Sequence, residues 1–180
     1  SAKAIVEHKI LDVNALKFIL ASCSNIEGLI QDVFSCLDKH RTEYGLKMND
    51  YYYQKLAVKE YFDTKEVIFI KRLLQVELQE EVRHIITNEL FEKYVTADEE
   101  SFAREVYMDT DQIKCLIRNG MYVGSHGCRH LWLNKESKSS QILEIDLSLQ
   151  FLKKVGAPTK DWIMCYPFGA YNSDTLSILK

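Results

Sequence analysis

The sequence has no apolar run long enough to cross a bilayer; its longest candidate, Leu16 to Cys23, falls far short of the roughly 20 residues a helical span needs. Nor does a long apolar stretch follow the basic residues near Ser1, so no secretory signal is expected. The five cysteines, Cys23, Cys36, Cys115, Cys128 and Cys165, are scattered and odd in number. Without a Cys-x-x-Cys pair they argue against a structural zinc knuckle and against a disulfide scaffold, and a cytoplasmic, reducing location is expected. A concentrated basic patch is missing too. Lysine and arginine number 23 against 26 acidic residues, and the short pairs Lys71-Arg72 and Lys153-Lys154 read as solvated helix faces. Nucleic acid is therefore not an expected partner.

An apolar fraction of 47% over 180 residues is enough for one domain with a real core or for two small ones. The first half reads as helix after helix. Asn14 to Ser22 is a short helical run, and Ser24 or Asn25 can cap a longer helix from Ile26 to His40. Asn49-Asp50 can cap Tyr51 to Tyr61, whose tyrosines read as packing surface. Asp63-Thr64 opens a helix with Val67, Ile68, Leu73, Leu74 and Leu78 as its stripe, and a further helix is predicted from Glu80 to Tyr94. Asp98 starts a shorter turn or helix carrying Phe102 and Val106. His8, His40 and His84 read as ordinary surface or packing residues in this setting.

The texture changes near residue 108. Asp109-x-x-Gln112 is a capping box for a helix that stops before Gly120. Met121 to Ser125 reads as a short buried strand. A long helix is predicted from Ser139 to Val155, with Ile142, Ile145, Leu149 and Leu152 inward and Gly156 at its end. Trp162 to Tyr166 reads as a second apolar strand, Pro167-Phe168-Gly169 as a turn, and Asn172 or Ser173 as the start of a last helix. Such alternation calls for an α/β fold, a parallel sheet covered by helices, with any site at the C-terminal ends of the strands. The domain division expected is a helical segment over 1–107 and an α/β segment over 108–180.

Two segments carry chemistry. Ser125-His126-Gly127-Cys128-Arg129-His130 places two histidines four apart directly after a predicted strand. If the segment turns helically, both imidazoles can bind one divalent ion; otherwise they are two solvent-facing or capping histidines. Tyr166-Pro167-Phe168-Gly169 offers a rigid aromatic loop, or simply the proline and glycine of a strand-to-helix turn.

Taken together, Gly120 to His130, the Leu131–Leu133 segment, the helix carrying Glu144-Ile145, and Cys165 to Gly169 resemble the polysaccharide deacetylase family, also called NodB-homology or carbohydrate esterase 4. His126 and His130 match its His-(Ser/Thr)-x-x-His metal motif, with Gly127 where serine or threonine is usual. Cys165 to Gly169 match its Arg-x-Pro-(Tyr/Phe)-Gly groove motif, with cysteine where arginine is common. The helical first half looks like the insertion of a subgroup associated with surface polysaccharides. The resemblance implies an incomplete (β/α)-barrel-like deacetylase domain preceded by a large all-helical segment. It also implies a divalent metal such as zinc on His126 and His130, and an N-acetylated carbohydrate in a groove lined by Trp132, Tyr166, Pro167, Phe168 and Gly169.

The implied reaction is metal-dependent hydrolysis of N-acetyl groups on a surface or cell-wall polysaccharide or its precursor. The family's Thr-Phe-Asp-Asp segment, source of its base and of an anionic metal ligand, has no counterpart, because no two aspartates are adjacent in this chain. Its later strands, with the general acid, are expected to lie outside residues 1–180. No catalytic residue is therefore assigned, and the chain by itself is expected to be inactive. The alternative is a non-catalytic helical interaction or structural protein derived from a deacetylase. Unpaired strand edges also lead to an expectation of self-association into a homo-oligomer.

Overall fold

Helix caps and apolar stripes coincide at most of the expected places, and the computed structural model, which describes residues 1–180, contains ten α-helices. They are α1 (Ala2–Glu7), α2 (Asp12–Ser22), α3 (Ile26–Tyr44), α4 (Asn49–Leu56), α5 (Lys65–Arg72), α6 (Glu80–Tyr94), α7 (Glu99–Val106), α8 (Thr110–Arg118), α9 (Lys138–Val155) and α10 (Ser173–Ile178). The chain divides into two compact units, residues 12–98 and residues 1–11 with 99–180.

In the unit of residues 12–98, Asn25 caps α3 by accepting from the Gly28 N–H, and Thr64 caps α5 by accepting from Val67. Leu73–Glu77 continues α5 as a wider π turn. The helix α6 packs against α2 and α3. Leu16, Ile19, Leu29, Val33, Leu37, Phe69, Ile70, Leu73, Ile86 and Leu90 are almost wholly buried and form its core. Phe34, Tyr53 and Phe69 meet edge to face beside it.

Two carboxylates tie α3 to α6 in reciprocal fashion. Asp32 on α3 accepts from Lys93 Nζ at 2.6 Å and from the Tyr94 hydroxyl at 2.5 Å, both on α6. Glu89 on α6 accepts from Lys39 Nζ at 2.7 Å and pairs with His40 Nε2 at 2.9 Å, both on α3.

In the other unit, α8 opens with the expected capping box, Asp109 accepting from Gln112 N–H while the Gln112 side chain accepts from Asp109 N–H. The cluster Ile113, Leu152, Val155 and Ala157 joins α8 to α9, with Ile5 of α1 and Val123 packed against it. A left-handed Gly156 at φ 81° ends α9.

The expected incomplete (β/α)-barrel is not present. Helix covers 66% of residues and extended structure 1%, with no sheet. Residues 121–125 and 162–166 do run side by side in parallel, but they pair at one bridge, Ser125 to Met164. The Ser125 N–H donates to the Ile163 carbonyl and the Cys165 N–H to the Ser125 carbonyl, each at 2.9 Å. Two short parallel segments without a third neighbour make too few ladder bonds to fix more of their backbone. Neither segment is a buried strand: Met121, Tyr122 and Ile163 are each more than half exposed.

The register of α9 also differs from expectation. Ile142 is 41% exposed, while Gln141, Glu144, Ile145, Ser148, Leu152 and Val155 are buried. That set follows helical spacing as well as the apolar one does, and three of its six members are polar. Each has a distant partner. Gln141 meets Thr175 Oγ1 at 2.5 Å, Ser148 Oγ meets Ser125 Oγ, and Glu144 meets the Arg129–His130 backbone. Burial of polar groups is tolerated when each is hydrogen-bonded, and this polar stripe is the platform under the histidine loop.

Candidate metal and groove site

The loop from Ser125 to His130 leaves the single parallel bridge and turns back over α9. Its first anchor is Ser125, which is 5% exposed; its Oγ pairs with Ser148 Oγ and accepts from the Gly127 N–H at 3.2 Å. Gly124 lies so close to the neighbouring segment that an added Cβ would stand 2.7 Å from the Ile163 carbonyl oxygen. Gly127 has φ 72°, and a Cβ there would meet Glu144 Oε1 at 2.9 Å. His130 also holds a left-handed backbone, at φ 67°.

The turn brings the two histidines together. Their Nε2 atoms lie 3.1 Å apart and their ring centroids 4.8 Å. His126 Nδ1 lies 2.9 Å from the Cys165 carbonyl oxygen. A carbonyl only accepts, so Nδ1 carries a proton, and the neutral form of the ring then has its unprotonated Nε2 toward His130. Nitrogens bound to one tetrahedral zinc at about 2.0–2.1 Å are separated by about 3.3 Å. The observed spacing fits two ligands of such an ion. A third ligand is not in place: no group of three or more histidine, cysteine, aspartate or glutamate side chains is arranged to hold a metal ion. The Glu144 carboxylate touches this loop, but it is wholly buried beneath it and its two oxygens are taken by Arg129 and His130.

The residues expected to line a groove fall beside this pair. Trp132 and Phe168 stack face to face, with centroids 4.2 Å apart and planes 3° from parallel. Phe168 also meets the His130 ring edge to face at 4.7 Å. Pro167 is buried, while Phe168 takes a left-handed backbone at φ 57° and is 37% exposed. Tyr166 leans on Tyr171 with ring centroids 4.9 Å apart. Lys135 Nζ stands 5.3 Å over the Trp132 ring. The Trp132 indole N–H is buried without a partner, a cost of about 1–3 kcal/mol that the stacked wall must offset.

Of the residues singled out in sequence, His126, His130, Trp132, Pro167 and Phe168 are thus neighbours, and Tyr166 and Gly169 complete the same turn. Sequence reasoning did not assign Glu144, Arg129, Ser125 or Ser148 a role. A charged residue and a serine at core-facing helical positions of α9 were the available signal, masked by the isoleucines and leucines around them.

No curated protein and no solved structure matches the chain. A family model described as polysaccharide deacetylase matches residues 74–180, more than half of the chain and all of the loop, α9 and turn that build this site. With the histidine pair and the aromatic turn falling inside the matched residues, the chain belongs to the polysaccharide deacetylase family.

Proposed function

We propose that residues 1–180 hold part of the machinery for metal-dependent hydrolysis of N-acetyl groups on a surface or cell-wall polysaccharide or its precursor. Membership of the family implies a carbohydrate substrate. The observation that carries the finer reading is the facing of His126 Nε2 and His130 Nε2 at 3.1 Å beside the Trp132–Phe168 wall. In this reading His126 and His130 hold a divalent ion such as zinc, which when bound polarises an acetyl carbonyl and activates water.

The chain's own residues do the rest. The Cys165 carbonyl fixes the tautomer of His126 by accepting from Nδ1. The flat Phe168–Trp132 pair gives a sugar ring an apolar face to lie on, next to the histidines. Neither an anionic third ligand nor a carboxylate poised as general base stands at the pair, so this segment alone is proposed to bind without turnover. The five thiols are all free, which supports a reducing compartment, and the exposed Met121, Tyr122 and Ile163 support self-association.

The same lack of a third ligand favours a second reading, in which the chain is a non-catalytic helical interaction protein that keeps the outline of the site. Calorimetric titration with an N-acetylglucosamine oligomer, with and without zinc, separates the two. Binding strengthened by zinc, with no acetate released, supports the first reading. Absence of both zinc and sugar binding supports the second, and acetate release by residues 1–180 contradicts the proposed lack of turnover.

A further inference from the structure

We infer that Glu144 is a positioning residue for the histidine pair, and that residue 127 is a glycine because the Glu144 carboxylate occupies the space its side chain would need. The inference rests on the functional reading above only for what the pair binds; the positioning itself is a property of this chain.

Glu144 sits on α9 with no exposed surface, four residues before Ser148 on the buried stripe. Its Oε1 accepts from two successive backbone donors, Arg129 N–H at 2.6 Å and His130 N–H at 3.2 Å, and its Oε2 accepts from Arg129 Nε at 3.1 Å. Two consecutive N–H groups converging on one oxygen form a small anion-binding concavity, filled here by a side chain of the same molecule. The two donors lie immediately before His130 Cα, where the backbone enters a left-handed conformation uncommon for residues other than glycine. Arg129 offsets the carboxylate's charge while remaining about one-third exposed, and Ser140 Oγ lies 3.5 Å from its guanidinium.

Gly127 belongs to the same arrangement. Glu144 Oε1 would be 2.9 Å from its added Cβ, closer than such contacts come, and Pro167 Cγ would be 3.5 Å away. The oxygen that would collide is the one that holds Arg129 and His130. A side chain at 127 and the present position of Glu144 therefore exclude one another. The loop's course, the direction of the His130 ring and the identity of residue 127 depend on one buried carboxylate.

The test uses the full 180-residue chain and two readouts. The first needs no metal: a nuclear Overhauser contact between the His126 and His130 imidazole protons, with hydrogen exchange of the Arg129 and His130 amides. The second is zinc affinity by competition with a chromogenic chelator. In the wild type the contact is expected and both amides are protected, although neither lies in a helix or a ladder. Glu144→Leu is expected to abolish the contact and to weaken zinc about 10- to 100-fold, the range seen when an outer partner of a metal ligand is removed. Glu144→Gln, which keeps an acceptor oxygen for the two amides, is expected to fall between. An unchanged imidazole contact with zinc affinity within twofold in both variants would overturn the inference. If Glu144→Leu does not fold, Glu144→Gln and the wild-type amides still decide: wild-type amides exchanging at open-loop rates overturn it. If H126A/H130A binds zinc as well as wild type, or if wild type binds none, the functional reading fails instead, and the imidazole contact and amide protection judge the positioning independently.

Discussion

The Nδ1 of His126 lies 2.9 Å from the carbonyl oxygen of Cys165, a residue 39 positions later in the chain. That contact fastens the histidine loop to the start of the aromatic turn through backbone, so the cysteine that stands where arginine is common in the family contributes its carbonyl rather than its side chain. Cys165→Ala is accordingly expected to leave zinc affinity within about twofold, because the accepting carbonyl persists. A loss of tenfold or more, measured by chelator competition, would show that the thiol itself takes part.

The aromatic wall makes a separable prediction. Trp132→Phe keeps a flat ring against Phe168 and removes the one indole N–H buried without a partner. Its melting temperature is expected to equal or exceed the wild type's, since an unsatisfied buried donor costs about 1–3 kcal/mol. Trp132→Ala loses the stack and is expected to cost about 3 kcal/mol or more. Denaturant melts of both variants check the pair, and a drop for Trp132→Phe as large as for Trp132→Ala would contradict it.

The acid limb of stability should be set partly by the bridges between α3 and α6. Burial works to raise the Asp32 pKa, but Lys93 and Tyr94 outweigh it, so the carboxyl titrates below its ordinary 3.8. Glu89 is likewise held below its ordinary 4.5, with Lys39 and His40 overcoming burial. The unfolded chain therefore takes up protons before the folded one as pH falls. The stabilisation is full above the ordinary carboxylate values and is lost as pH drops through the lowered ones. Asp32→Asn and Glu89→Gln should each reduce stability at pH 7 by about 0.5–1.5 kcal/mol and flatten its decline below pH 4.5. Urea melts across pH test this; an unchanged acid slope in the double variant would contradict it.

Thiol reactivity should divide the cysteines. Burial, with Glu89 beside it, pushes the Cys36 thiol up to about 11, and burial with Glu144 nearby raises Cys128. Cys115 and Cys165 are exposed. At pH 8 a chromogenic disulfide should label Cys115 and Cys165 fast and Cys36 and Cys128 only slowly, because the thiolate is the reacting form. Equal rates at all four would contradict the protection of both Cys36 and Cys128.

The helices were legible in the sequence because their ends are written locally. Asp109 with Gln112, Asn25 and Thr64 cap where their side-chain chemistry says they should, and Glu80–Tyr94 has the bounds its stripe predicts. The strands were misread for the converse reason. Met121 to Ser125 and Trp162 to Tyr166 are apolar enough for strands, but a strand needs neighbours, and each has only the other at one bridge. Composition also misplaced the face of α9. Ile142 looked inward by hydrophobicity, whereas Gln141, Glu144 and Ser148 are inside because Thr175, Arg129, His130 and Ser125 supply their hydrogen bonds. Those partners are far away in sequence, and no local window contains them. The histidine pair and the aromatic turn were visible as motifs; the carboxylate beneath them was not.

The most direct measurement is zinc stoichiometry by elemental analysis of the 180-residue chain purified without chelator, beside H126A/H130A. The account predicts zinc bound to wild type, at up to one ion per chain, and none above background in the variant. Equal zinc in both proteins, or none in either, would contradict the claim that His126 and His130 are metal ligands.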